Sequence, residues 1–144
     1  MSLLVPEASQ QTILRRILDQ DLILGLYVNS KTPSLSDVAA NYTEMVGLGY
    51  TPKILAAEGW IYLPEIPAKA IYPAQTWTWQ AGGPIKVYGY FILQALDRLL
   101  LWAERFFPAG TLPIDYFLEG QIEGSQLVLG KDLYPIQCTL GNVR

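Results

Sequence analysis

The first periodic segment of the chain has the spacing of an amphipathic helix. Between Glu7 and Gln20, apolar residues recur three and four positions apart, with Pro6 before the first turn and Ser9 as a candidate N-cap. The spacing predicts an N-terminal helix over about residues 7–20. Its apolar stripe comprises Ile13, Leu14, Ile17 and Leu18. The stripe has two possible uses, packing on the core of the same chain or docking on a neighbouring subunit.

From Leu22 onward, short apolar or alternating segments of strand type are separated by glycine and proline. This spacing is typical of a β-sandwich or a small barrel. We therefore predict a single, mainly-β domain over residues 1–144, an antiparallel β-sandwich or small barrel with the N-terminal helix. The predicted strands are Leu22–Asn29, Lys53–Ala57, Trp60–Leu63, Ala68–Tyr72, Gln75–Ala81, Ile85–Ala95, Leu99–Phe107, Ile114–Leu118, Gln126–Leu129 and Pro135–Leu140. The predicted turns and loops are Asn29–Pro33, Gly82–Pro84, Leu96–Arg98 and Pro108–Pro113.

One segment of the chain fits two descriptions. Ser34 followed by Asp37 has the spacing of a capping pattern, which predicts a short helix within Ser34–Met45. The glycines and the proline that follow closely favour an extended, irregular segment instead. Both descriptions stay open from the sequence.

Aromatic residues are concentrated in the predicted β region. Trp77 and Trp79 share one face of their strand with Ala81, which is typical of a core-facing strand, although a subunit interface or a sugar-stacking platform has the same residues. Tyr88, Tyr90 and Ile92 lie opposite the face of Phe91, so their strand is apolar on both sides. We expect a second layer or a second chain to cover it.

The composition indicates surplus apolar surface. Only 16% of the residues are charged, against about 25% in an average soluble domain, and the mean hydropathy is +0.21. A domain of 144 residues has too few charges to cover its surface, so we expect apolar area to remain for a partner.

The residue inventory argues against most site chemistry. The chain has no histidine, which removes the Ser-His-Asp and Cys-His mechanisms, and Cys138 alone forms neither an internal disulfide nor a zinc site. The glycine pairs lack the Lys-Ser/Thr of a phosphate loop, and the carboxylate pairs Asp19/Asp21 and Glu119/Glu123 are weak candidates for glycoside hydrolysis or calcium. We therefore expect a protein without enzymatic activity that binds no cofactor and no metal ion.

Charge and hydropathy also bear on partners. A net charge of −3 and a pI near 4.8 argue against nucleic acid. The longest apolar run, Leu22–Val28, is far shorter than the roughly 20 residues of a membrane helix. Residues 1–10 lack the features of a signal peptide, so we expect synthesis and retention in the cytoplasm unless a larger particle carries the protein out.

Several segments taken together resemble small structural proteins of tailed bacteriophages. The segments are Asn41–Glu44, Gly49–Pro52, Thr76–Trp79, Val87–Phe91 and Leu100–Phe106. They lie within residues 40–107, under half of the chain, and the hairpin turn Leu96–Arg98 departs from the longer, glycine-containing turn of the family. The resemblance implies a virion protein made in the host cytoplasm, and it implies no catalytic residues.

Within this family we expect a capsid cement, or decoration, protein on the capsid exterior. It would bind the major capsid protein or other virion proteins and stabilise the shell. The alternative is a tail or baseplate accessory protein with a carbohydrate-binding aromatic face that uses Trp60, Trp77 or Trp79.

Cement proteins often sit on three-fold positions of a shell, so the resemblance also implies a homo-oligomer, a trimer. The candidate interface is the part of two apolar surfaces that the core does not bury. Its residues are Ile13, Leu14, Ile17, Leu18, Tyr88, Tyr90 and Ile92.

Overall fold

The chain begins with one helix and continues mostly in strands. A computed structural model describes residues 6–63, 65, 67–80, 85–106, 118–119, 126–130 and 136–140. Helix α1 spans Glu7–Leu18, and short 3-10 helices lie at Ala39–Asn41 and Ala57–Gly59. The strands are β1 Leu22–Tyr27, β2 Lys53–Leu55, β3 Ile61–Leu63, β4 Ala68–Tyr72, β5 Gln75–Thr78, β6 Ile85–Lys86, β7 Gly89–Gln94, β8 Leu100–Arg105, β9 Leu118–Glu119, β10 Gln126–Leu129 and β11 Ile136–Leu140. The predicted turn Gly82–Pro84, the loop Pro108–Pro113 and nearly all of the strand Ile114–Leu118 lie outside the described residues.

All described strand pairs are antiparallel. One sheet has the order β2-β1-β7-β8 and another the order β11-β4-β3, while β5 pairs with β10 and β6 with β9. None of these described sheets closes into a barrel. The predicted mainly-β fold with an N-terminal helix is therefore confirmed, and the arrangement is consistent with its sandwich form.

The main core lies between α1, one face of the four-stranded sheet and the remaining strands. It contains fully buried side chains from β1, β7 and β4, and the aromatic side chain of β5 faces it as well. Representative members are Leu14, Leu18, Leu24, Leu26, Ala70, Trp77, Ile92 and Leu127. Gln10 ties the helix to this core because its Oε1 accepts the backbone N–H of Ala68, in β4, at 2.9 Å.

A second, smaller core covers the opposite face of the four-stranded sheet. Tyr27, Phe91 and Leu93 project from β1 and β7, and Tyr42 covers them from the loop that follows β1. The ring of Tyr42 meets that of Tyr27 edge-on, with 4.9 Å between centroids. Strand β7 is thus buried on both faces, as its pattern predicted, and this chain supplies a cover on each side.

The structure corrects two details of the sequence interpretation. Ser9 does not cap α1, because the helix begins at Glu7 directly after Pro6 and the Ser9 N–H already donates to the Pro6 carbonyl at 2.9 Å. Ser34–Met45 contains no α-helix. Its Ser34 and Asp37 side chains close a turn by hydrogen-bonding to each other, so the extended, irregular alternative is the one observed.

Several strands are shorter than predicted because they change partner. Strand β5 ends at Thr78, and beyond it the Gln80 N–H donates to the carbonyl of Leu48. The long predicted strand Ile85–Ala95 divides into β6 and β7. Between the two, the Tyr88 N–H donates to the carbonyl of Tyr27.

Candidate docking surfaces

The structure buries most of the interface predicted on the helix. Leu14 and Leu18 have no exposed surface, and Ile17 packs against the main core. Only Ile13 keeps a substantial exposed fraction, 36%. The helical stripe therefore packs on the core of its own chain, and the prediction of an interface is wrong for Leu14 and Leu18.

The predicted interface on β7 has the same outcome. Tyr90 and Ile92 face the main core and are almost fully buried, so the prediction is wrong for these two residues as well. Tyr88 remains half-buried and packs on the second core, with the guanidinium of Arg105 5.3 Å from its ring centroid.

The proposed sugar platform is also buried. Trp60, Trp77 and Trp79 are 5%, 3% and 1% exposed. The indole N–H of Trp77 donates to the carbonyl of Thr51 at 2.8 Å, so it is already occupied within the chain. These three side chains are core residues. The core-facing interpretation of Trp77 and Trp79 is confirmed, and the alternative of an aromatic face for carbohydrate is wrong.

Among the described residues, the most exposed large hydrophobic side chain lies in a loop instead. In residues 31–38, which we call the Leu35 loop, Leu35 is fully exposed and Val38 is 58% exposed. An isolated exposed leucine is ordinary on a protein surface. This one is distinguished by the bonding of the residues around it.

The carboxylate of Asp37 fixes the Leu35 loop. It accepts the backbone N–H of Ser34 at 2.8 Å, the Ser34 hydroxyl at 2.9 Å and the Tyr42 hydroxyl at 2.6 Å, and it pairs with Lys31 Nζ at 2.8 Å. The Lys31 ammonium, followed by the Tyr42 hydroxyl, holds the pKa of Asp37 far below its usual range. In the sequence, Leu35 thus lies between two residues, Ser34 and Asp37, whose side chains are hydrogen-bonded to each other.

A second anchor ties the start of this loop to β8. The guanidinium of Arg105 donates to the hydroxyls of Ser30 and Thr32, both at 3.2 Å. The Tyr27 hydroxyl donates to the carbonyl of Lys31 at 2.9 Å. The loop is therefore bonded to β1 and β8 as well as to itself.

Between the Leu35 loop and β8 runs a groove of about 430 Å³, which we call the β8 groove. Its lining residues are Pro33, Ser34, Leu35, Asp37, Tyr42, Leu100, Leu101, Trp102 and Ala103. Strand β8 pairs with β7 on one side and ends the sheet among the described strands. The register shifts at Ile92/Leu93, opposite the start of β8, and such a bulge redirects side chains at a sheet edge.

The opposite edge of the same sheet also exposes aliphatic side chains. Ile54 in β2 is 56% exposed, and Val46 is 78% exposed. Val46 directly follows Met45, whose N–H donates to the carbonyl of Leu26 in β1. Both side chains therefore lie along the outer edge of β1, which we call the β2 edge.

Among the carboxylates of the described residues, Glu104 is the one with a raised pKa, and it lies opposite Tyr90 in the β7–β8 register. Loss of solvation raises its pKa, and the hydrogen bond from Tyr90 opposes that shift. Within the described ranges, no group of three or more Cys, Asp and Glu side chains is placed to hold a metal ion. No helix in the described part of the chain is long and apolar enough to cross a membrane.

The chain was compared with family models, curated proteins and solved structures. No family model, curated protein or solved structure matches the chain. The interpretation of the two surfaces therefore rests on their residues.

Sequence reasoning missed the two surfaces that the structure exposes. The sequence pattern puts Leu35 and Val38 in a segment that is either a short helix or irregular, and it puts Ile54 in an ordinary strand. One signal was available for Leu35, since it is an isolated apolar residue within the polar, proline-containing stretch 29–37. Its neighbours Ser34 and Asp37 have the spacing of a side-chain-closed turn.

Proposed function

We propose that the chain is a structural protein of a bacteriophage virion, a capsid cement protein that joins neighbouring subunits. The phage context comes from the resemblance of segments within residues 40–107. The joining role comes from the surfaces described above. Together they favour a protein that acts by occupying and bridging surfaces.

One observation carries the joining role: exposed aliphatic side chains lie at both edges of the four-stranded sheet. Ile54 and Val46 occupy the β2 edge, and Leu35 stands beside β8 at the other edge. Three strand spacings separate β2 from β8, about 14 Å. A protein with two apolar edges on one rigid sheet can contact two neighbours at once, as a cement protein must.

The interior of the domain supports the same role. The tryptophans that the carbohydrate-binding alternative would use are packed in the core, which favours a shell protein over a carbohydrate-binding tail accessory. Burial of apolar area is worth about 25 cal/mol per Å², so each exposed edge provides a driving force for association.

Binding to particles tests this proposal. Purified protein is added to phage particles that lack it, and the bound fraction is measured by co-sedimentation. The wild type is expected to sediment with the particles, and Ile54→Lys is expected to lose most of that binding. The matched control is Ile61→Lys. It places the same change on β3, an edge strand of the three-stranded sheet, where Ile61 is 49% exposed. Wild-type protein that stays in the supernatant contradicts the proposal.

A further inference from the structure

We infer that the β8 groove binds the Leu35 loop of a second copy of this chain, in a reciprocal contact about a two-fold axis. The inference rests on the proposed role of this edge as a docking surface and names its partner. The β2 edge then remains free for the shell.

The loop has the properties of a preorganised ligand. Leu35 is fully exposed, while Asp37 holds the residues on both sides of it through Ser34, Lys31 and Tyr42. A loop that is already fixed loses little conformational entropy when it binds. Binding of the loop therefore gains the free energy of moving a leucine side chain out of water, without a large entropy cost for ordering the loop.

The β8 groove has the properties of the receptor. Leu100 and Ala103, which pack against the same second core as Tyr42, supply apolar side chains along one wall, and the groove volume of about 430 Å³ exceeds that of a single leucine side chain. The residues on its other wall belong to the Leu35 loop itself. The exposed leucine and the groove that suits it are thus neighbours on one surface.

This adjacency is what favours a second copy as the occupant. In a two-fold contact, each residue i meets a residue j of the mate and each j meets an i, so the patch must be complementary to itself. An axis beside the groove places each Leu35 opposite the groove of the other copy. An unrelated partner would need no such pairing of leucine and groove on one chain.

The charges of the surface are compatible with such a contact. Among the described residues that line the groove, Asp37 is the single charged one, and its carboxylate pairs with Lys31 Nζ at 2.8 Å. The Asp37 side chain is also only 6% exposed. Two copies can therefore approach through this surface without an unpaired like charge on each side of the axis. The trimer implied by the family resemblance is not what this geometry favours.

Sedimentation equilibrium of the isolated protein gives the first test. The wild type is expected to approach twice its monomer mass of 16.1 kDa as its concentration rises through the micromolar range. Leu35→Ser removes two buried leucines from a reciprocal dimer, and at roughly tenfold each it is expected to raise the dimer Kd about 100-fold. Leu96→Ser is the matched control, since Leu96 is 95% exposed on the hairpin turn and does not line the groove.

Disulfide trapping tests the pairing directly. Leu35→Cys and Ala103→Cys are made separately in a Cys138→Ser background, mixed and oxidised. A mixed disulfide between the two variants is expected, and the control mixture of Leu96→Cys with Ala103→Cys is expected to give much less. A wild type that remains monomeric, or an equal yield from both mixtures, overturns the inference.

The outcomes also separate this inference from the proposed function. A monomer that still sediments with particles overturns the dimer and leaves the cement role standing. A dimer that fails to bind particles supports the dimer and removes the cement role. Ile54→Lys is expected to dimerise normally while losing the particles.

Discussion

The hydroxyl of Tyr50 accepts the backbone N–H of Leu26 at 3.1 Å, on the outer edge of β1 near its C-terminal end. The Met45 N–H donates to the carbonyl of Leu26, but the return bond from Leu26 goes to this side chain because the chain leaves the edge after Met45. The same hydroxyl donates to Glu44 Oε2 at 2.7 Å. One side chain thus completes the edge beside which Val46 is exposed.

Tyr50→Phe is expected to lower the free energy of unfolding by about 1–3 kcal/mol, because it leaves the Leu26 N–H without an acceptor. Urea unfolding followed by tryptophan fluorescence measures the loss. The matched control is Tyr88→Phe, since Tyr88 is half-buried and has no hydroxyl hydrogen bond to the described residues. Equal effects of the two substitutions would show that the Leu26 bond is not special.

Gly25→Ala tests the packing of the second core. Gly25 lies opposite Phe91 in the β1–β7 register, and a Cβ there would come within 2.7 Å of Phe91 Cε2. Phe91 is buried and its ring also contacts that of Tyr42, so overpacking is expected to cost about 1–3 kcal/mol. Adding Phe91→Leu should reduce the cost of the alanine, as a double-mutant cycle of unfolding free energies would reveal. Additive losses would contradict the contact.

The acid dependence of stability tests the Asp37 cluster. The folded-state pKa of Asp37 lies below its unfolded value, so its stabilising contribution is fully present above about pH 4 and is lost as the pH falls from there toward the folded-state pKa. Asp37→Asn is expected to melt at a lower temperature than the wild type at neutral pH, with the gap closing in acid. Asp21→Asn, at an exposed carboxylate, serves as the control. A gap that is constant with pH would contradict the proposed role of the charge.

The stability contribution of Glu104 is expected to depend on pH in the opposite direction to that of Asp37. Its folded-state pKa is raised by loss of solvation, so it favours the folded state below its unfolded pKa, and that contribution is lost as the pH rises through the folded value. Glu104→Gln should therefore be at least as stable as the wild type at neutral pH and less stable relative to it in acid. Thermal melts across the acid range measure both. A variant that is clearly less stable at neutral pH would contradict this sign.

The sequence predicts the layered β fold well because period-two alternation and glycine–proline spacing are local signals. It predicts β4 to the residue and the two-sided burial of β7. It fails where the decision depends on distant residues. Tyr90 and Ile92 are apolar whether a second chain or the rest of this chain covers them, and only the positions of α1, β4 and β5 decide between the two.

The docking surfaces were harder to predict for a related reason. Whether Leu35 is exposed depends on Asp37, which closes a turn with Ser34 rather than a helical cap because Lys31 and Tyr42 bind the same carboxylate. The Ser34–Asp37 spacing is common to both conformations. The hydrogen bond from Arg105 to Thr32 crosses 73 residues of sequence and leaves no periodic trace.

The copy number of this protein in purified phage particles tests the central claim most directly. Density-purified particles are analysed by quantitative mass spectrometry against the major capsid protein. A cement protein is expected at a stoichiometry comparable to that of the shell subunits, and treatment that strips the capsid exterior should release it. A protein that is absent from the particles, or present only at the few copies typical of a tail component, would contradict the claim.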